Sequence, residues 1–524
     1  MSDTTCAVFA ATDLNLDPDG IHRFVVGEER EPRQLSAAEA ERELGDPFAT
    51  LVLLQGRFPR TGEDTVTAIK EATEGGDPLR NQMSFVLGEG SQIAFDDDTA
   101  SVDRGLRFLV TLGATANGPP EGPDILLSVF HPEQTGIELM AWDRRMGGFN
   151  YYRSMGDPPA WVFAGNARHA LSDPTQGKGP FESHKSGALL MKELKRPWVH
   201  WDSPDVHIFA TAFADEDDRR DHPWFTDKEP GGAYALEFEV AKPAMTRWAK
   251  ARFDALVTNG GTIDHPARIM EQLLDTPTVN LVSSMRESRS AASSSAPVPL
   301  PPTFFVDADG LAEVGLEAPP AFAVAGNVYA TSLETFESQL ADGQGFVRKG
   351  DTHFAFVIPE RAFEDQVVLG EAMRMGLVSR RLAACLLMTD FSNPIFSDRR
   401  AALLTHVPAR AAVANGESTF SREMADGILE AAENSPDGSP EREFAERWNV
   451  GEDFDNQFNG LLRDYYAAVS ERLVTQEGFD DYFRLAESRR GRVRQMPIFE
   501  NRLLFASTSI PPAARQMQPD GSVI

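Results

Sequence analysis

Short apolar runs bounded by Gly, Pro, Asn and Asp dominate the first half of the chain, the pattern of strands separated by turns. CAVFAATDLNL and IHRFVVG flank DPDG at 17–20, whose Pro-Asp-Gly order predicts a hairpin turn. FATLVLLQG (48–56), QMSFVLGEG, DILLSVFHP, GIELMAWDRRMGGFNYYR, PAWVFAG, VHIFATAF (206–213) and GAYALEFEV (232–240) read as further strands, the fourth broken at Gly147–Gly148. Helices intervene. Ser36 stands three residues before Glu39 in capping-box spacing, and TGEDTVTAIKEATEGG is helical in pattern. A short helix is expected from Ser183 to about Leu194, ended by Pro197. PAMTRWAKARFDALV carries Pro243 near its start and an apolar stripe through Met245, Trp248, Ala249, Phe253 and Leu256.

Downstream the apolar period lengthens to that of helices. RAFEDQVVLGEAMRMGLVSRRLAACLLMTDF holds one or two helices around Gly370 and Gly376. DRRAALLTHV, REFAERWNV and DNQFNGLLRDYYAAVSERLV add more, and 414–441 predicts a short helix with a solvated loop. RESRSAASSSAPVPLPP (286–302) has linker composition, flexible in its Ser/Ala part and stiffened by Pro. The fold class expected is α+β. An α+β domain over 1–290 is joined by a linker or loop at 291–302 to a mainly helical domain over 303–524. No repeat is visible, so a solenoid or propeller is unsupported.

Composition narrows the partners. The 524 residues are 41% hydrophobic and 25% charged, enough to bury a large core. Fifty Lys+Arg against 80 Asp+Glu give a net charge of −30, a field that repels phosphate backbones and anionic lipid. Neither nucleic acid nor membrane is an expected partner. Cys6 and Cys385 form no paired motif, the N-terminal stretch lacks a basic n-region, and no run reaches membrane-helix length. The expected location is the cytoplasm. P-loop, dinucleotide, nucleophile-elbow, HExxH and EF-hand patterns are all missing from the sequence.

Chemistry-bearing residues concentrate at 178–207, KGPFESHKSGALLMKELKRPWVHWDSPDVH. It holds His184, His200 and His207, with Trp198 and Trp201 bracketing His200. In an extended segment after Pro197, Trp198, His200 and Asp202 share one face. His200-x-Asp202 resembles the start of the facial triad of non-haem iron(II) oxygenases, which needs a second histidine from elsewhere. His184, His200, Asp202 and His207 are the expected metal ligands. A haem reading makes one histidine the proximal ligand and gives the pocket to Trp, Phe and Met. A metal-free reading makes His184 or His200 a general base oriented by Glu182 or Asp202. Against all three stands a structural role, in which indole and imidazole N–H groups bond backbone carbonyls at a core corner.

Secondary candidates are fewer. In GGFNYYRS (147–154), Tyr151 and Arg153 share a strand face and Tyr152 takes the other. One tyrosine is a candidate proton donor and Arg153 a cofactor contact, unless both rings simply pack. Ser397 is a natural N-cap for a helix from Asp398, with Arg399 and Arg400 beside it. RLAESRRGRVR (484–494) is locally basic. Its arginines either bind a phosphate or carboxylate, or neutralise acids of the same chain or of a partner subunit.

The function expected is a metal- or haem-dependent oxidoreductase, with iron as cofactor, acting on a small or medium organic substrate. His184, His200, Tyr151 and Tyr152 are its catalytic candidates, and Trp198, Trp201 and Arg153 its cofactor contacts. The alternative is a non-catalytic assembly or scaffold protein whose histidines are structural. Oligomeric state is left open, a homo-oligomer included.

Overall fold

The computed structural model describes residues 15–88, 106–113, 122–188, 217–258, 261–264, 266–276, 279–283, 296–341, 347–349, 356–414, 417–495 and 506–524. The chain forms two compact units, dividing after Arg252. Its class is α+β: an eight-stranded mixed sheet in the N-terminal half and mostly helices in the C-terminal half.

In the first unit, β1 (Ile21–Arg23) and β2 (Arg33–Gln34) precede α1 (Ala37–Glu43), α2 (Pro47–Leu51) and α3 (Gly62–Glu71). Then come β3 (Gln82–Gly88), β4 (Leu106–Leu112), β5 (Ile125–Val129), β6 (Glu138–Asp143), β7 (Gly148–Met155) and β8 (Ala160–Asn166). The strand order is β2-β1-β8-β7-β6-β5-β4-β3. From β3 to β8 the sheet is an antiparallel meander. β1 joins β8 in parallel, Ile21 opposite Trp161, and β2 pairs antiparallel with β1. α4 (Pro223–Thr226) and α5 (Gly232–Ala235) follow, and a π-helical turn over Leu236–Ala241 leads into α6 (Lys242–Thr258), within which the division at Arg252 falls.

The expected alternation sorts the sheet into two faces. Phe108, Val110, Leu127, Leu139, Tyr152, Trp161 and Phe163 meet Phe48, Val52, Val66 and Ile69 of the helical layer. Each such fully buried side chain stabilises the fold by about 1.5–3 kcal/mol. The opposite face carries Met140, Trp142, Phe149 and Tyr151, all buried. There the Arg247 guanidinium lies 4.3 Å over the Trp142 ring, and Trp248 Nε1 donates to the Ser186 carbonyl at 2.8 Å.

Local signals act as expected at Ser36, which forms a full capping box with Glu39. Two segments read as strands are helical. FATLVLLQG becomes α2 plus a 3-10 turn, because the Asp46 side chain accepts from Ala49 N and Pro47 occupies the first helical position. GAYALEFEV becomes α5 and the π turn: Leu236, Val240, Ala244 and Trp248 repeat every four residues and are all buried. GIELMAWDRRMGGFNYYR breaks at the expected glycines into β6 and β7, joined by a turn in which Gly147 sits at φ +66. The helix expected from Ser183 is absent over 183–188, where a 3-10 turn (Gly179–Glu182) runs into irregular backbone; Gly187 at φ +77 accounts for this. Residues 189–216, with VHIFATAF, lie outside the described residues.

The second unit contains α7 (Ala267–Leu274), α8 (Ala308–Glu313), α9 (Gly326–Thr335), α10 (Phe363–Arg374), α11 (Arg380–Met388) and α12 (Asp398–Ala402). α13 (Phe420–Asn434), α14 (Pro440–Trp448), α15 (Phe454–Leu473) and α16 (Gln476–Gln495) complete the helical set. The chain passes helically through Gly370 and turns at Gly376, φ +70, after which Ser379 caps α11. Val298–Leu300, at the end of the Ser/Pro-rich stretch, pairs antiparallel with Phe322–Val324. The core is rich in aromatics, Phe304, Phe305, Phe356, Tyr465, Phe479, Tyr482 and Phe483 among them. No described helix is long and apolar enough to cross a membrane.

Candidate functional site

The strand β7 decides what its tyrosines can do. Tyr152 points into the helical layer, where it is 1% exposed, and its hydroxyl donates to the Asp46 carboxylate. Asn150 Nδ2 donates to the same oxygen at 2.8 Å, while Asp46 Oδ1 takes Ala49 N at 3.0 Å. Burial raises the Asp46 carboxyl, against the pull of its three donors. Burial, then the Asp46 charge, pushes the Tyr152 hydroxyl well above its ordinary range. Tyr152 therefore holds α2 to the sheet.

The opposite face gathers the other residues singled out from sequence. Tyr151 donates to the Ala188 carbonyl at 3.0 Å and meets Phe181 edge-on at 5.2 Å. His184, half-buried, stands edge-on to Tyr151 at 5.3 Å, and its Nδ1 lies 3.1 Å from the same carbonyl. A carbonyl only accepts, so Nδ1 carries a proton, and in the neutral ring Nε2 then holds the lone pair. Two register pairs along, Arg153 forms a salt bridge to Glu138 of β6. The Arg153 charge brings the Glu138 carboxyl down to about 2 against burial, with smaller pulls from Arg107 and His184. Tyr151, Arg153 and His184 are thus neighbours, and Tyr152 is on the far side of the sheet. Sequence reasoning did not find Glu138; its signal is the cross-strand opposition to Arg153, visible only once β6 and β7 are in register.

His200, Asp202, His207, Trp198 and Trp201 lie outside the described residues. Among the described residues no three His, Cys, Asp or Glu side chains converge as a metal-binding group.

In the second unit, Ser397 accepts from Arg400 N at 3.0 Å, as its capping role requires. Asp398 in the first turn pairs with Arg492 at 3.1 Å and Arg399 with Glu443 at 2.8 Å. Arg400 turns inward, 1% exposed, and donates to the carbonyls of Thr389, Asp390, Asn393 and Pro394. The 484–494 arginines likewise meet groups of their own chain. Arg490 and Arg494 each pair with Glu487 at 2.7 Å, and buried Arg489 donates to Phe304 O at 2.5 Å.

A cleft of about 470 Å³, its open mouth included, lies among α7, α8, α10 and α11. Leu273, Leu369 and Leu386 line it together with Asp307, Arg361 and Asp365. Arg361 Nε meets Asp307 Oδ2 at 3.2 Å, which leaves its buried Nη1 with no hydrogen-bond partner. One water molecule with two or more such contacts satisfies a site of this kind.

Among the described residues the architecture defines an α+β protein with a histidine–tyrosine sheet face and a charged helical cleft. Comparison with protein-family models, with curated proteins and with solved structures finds no match to this chain.

Proposed function

We propose that the chain is an enzyme whose reactive centre includes the sheet face carrying Tyr151, Arg153 and His184, an oxidoreductase acting on a small organic substrate. What supports this most is the His184 hydrogen bond: with Nδ1 donating to a backbone carbonyl, the neutral ring carries on Nε2 the lone pair that a metal ligand or general base needs. Iron, non-haem or in haem, would be held by His184 with His200, Asp202 and His207, a set that rests on spacing in the sequence. Tyr151 and Phe181 would wall that side of the substrate. The net charge of −30 argues against nucleic acid and anionic membrane as partners, and sparing use of cysteine supports the cytoplasm.

A second reading has its own observation. The Ala188 carbonyl receives both Tyr151 and His184, an arrangement that ties 179–188 to the sheet and suits a non-catalytic scaffold with structural histidines. Elemental analysis and an absorption spectrum of the purified chain separate the two, read beside His184→Gln. Bound iron or a Soret band that disappears in H184Q, with the melting temperature little changed, supports the enzyme. A chain that stays colourless and metal-free after reconstitution with ferrous iron and with haem, and melts lower as H184Q, supports the scaffold.

A further inference from the structure

Three described histidines of the first unit share an arrangement opposite to that of His184. His131, His169 and His222 each use Nδ1 to accept a backbone N–H, from Glu133 at 3.2 Å, Asn166 at 3.0 Å and Trp224 at 3.1 Å. An accepting Nδ1 carries no proton, so His131 and His222 are held as Nε2–H tautomers, whereas His169 Nδ1 also lies 2.8 Å from the Asn166 Oδ1 acceptor. A second proton must go onto Nδ1, where it would face a backbone N–H and break that bond.

His222 is where this matters most. It is the N-cap of α4, whose Pro223 occupies the first helical position, and its ring is edge-on to Trp224 at 5.2 Å. α4 inserts Trp224 and Phe225 into the core beneath the helical layer; Trp224 lies 6.5 Å from the Phe108 ring, both centroid to centroid. The groups facing His222 come from three elements. Glu63 of α3 lies 3.9 Å from Nε2, which has no hydrogen-bond partner. Glu133 and His131 belong to the turn after β5, and Asp218 to the 3-10 turn (Asp218–Asp221) ahead of α4. His131 Nε2 bonds Asp218 at 2.9 Å, tying that turn to the same corner. In the same 3-10 turn, Arg219 is engaged by Asp217 at 2.6 Å, and Arg220 lies 3.5 Å from Asp221.

We propose that residues 217–226 are a proton-released latch on the sheet, docked while His222 is neutral and freed when its Nδ1 takes a proton. Freeing the segment exposes Trp224 and Phe225, so the protein gains apolar surface on acidification. Glu63, Glu133 and Asp218 favour the charged ring, whereas burial and His131 oppose it; burial is the largest influence and holds the His222 pKa below its ordinary value. The sign follows. A histidine with a lowered folded pKa supports the docked state fully above about pH 6.5, and the support is lost as pH falls through the folded value.

Hydrogen exchange of the full chain, followed by mass spectrometry and corrected for intrinsic rates, tests this from about pH 8 to about pH 5. Protection of peptides covering 222–226 should be flat above about pH 7 and then fall by up to about tenfold per pH unit. In His222→Asn, whose side chain caps helices without titrating, it should stay flat. A flat wild-type profile, or the same fall in H222N, overturns the latch. Should H222N be unprotected throughout, C2-proton exchange of His222 in the native chain decides. A midpoint below about 6.5 supports the latch and one at or above it refutes it.

Discussion

Replacing Tyr152 by Phe isolates a single hydrogen bond and separates a structural tyrosine from a catalytic one. The ring is kept, with its edge contacts to Phe48 at 5.4 Å, so no cavity forms. What is lost is the donor to Asp46, a fully buried carboxylate that retains Asn150 Nδ2 and Ala49 N. A hydrogen bond to a charged buried group contributes about 1.5–3 kcal/mol, and water cannot replace it at this depth. For a unit of this size that corresponds to a fall in melting temperature of about 3–12 °C. Asp46→Ala removes the α2 N-cap as well and should cost about 1 kcal/mol more. Scanning calorimetry on wild type, Y152F and Y151F reads the effect. Tyr151 donates to a neutral carbonyl, so Y151F should fall by roughly half as much. A Y152F chain that melts with the wild type would refute the assignment of Tyr152 as the tether of α2.

Arg400→Ala should be far more damaging, because it strands three buried carbonyls and one partly buried one at about 1–3 kcal/mol each; we expect loss of soluble expression, and R400A chains that melt like wild type would contradict it. Arg400→Lys keeps the charge but not the fork, and should recover only part of the loss in the same thermal assay. Cys385 is buried, and burial pushes its thiol up to about 12. Its peptide should remain unlabelled by iodoacetamide in the native chain at neutral pH and label fully in denaturant, as read by mass spectrometry.

Much of the fold was legible where a local rule and the tertiary context agree. The Ser36–Glu39 box, α3, α6 and the long helices of the second unit follow from spacing alone. FATLVLLQG misled because an apolar run of that length fits a strand and a buried helix equally; the deciding signal, Asp46-Pro47, sits just outside it. In GAYALEFEV the alternation of L, F and V with glutamate masks a four-residue repeat that continues into Trp248. The candidate site was legible only in part. Alternation along β7 correctly put Tyr151 and Arg153 on one face and Tyr152 on the other. It could not show that Tyr152 meets an aspartate more than a hundred residues earlier, since that contact is set by packing of α2 on the sheet. The roles of His131, His169 and His222 were invisible for a related reason: a backbone N–H that seeks an acceptor leaves no mark in the sequence.

The parallel pairing of β1 with β8 has a consequence for synthesis on the ribosome. Ile21 is among the earliest described residues made, yet its partner Trp161 emerges about 140 residues later. At about 5–20 residues per second the wait is roughly 7–30 s. During it the nascent β1 has, among the described strands, the short β2 alone to pair with. The meander can assemble hairpin by hairpin as it emerges, each strand beside the one before, whereas the sheet acquires its first strand last. Slowing translation between these strands should therefore lengthen the time β1 is open to chaperones without delaying the hairpins already made.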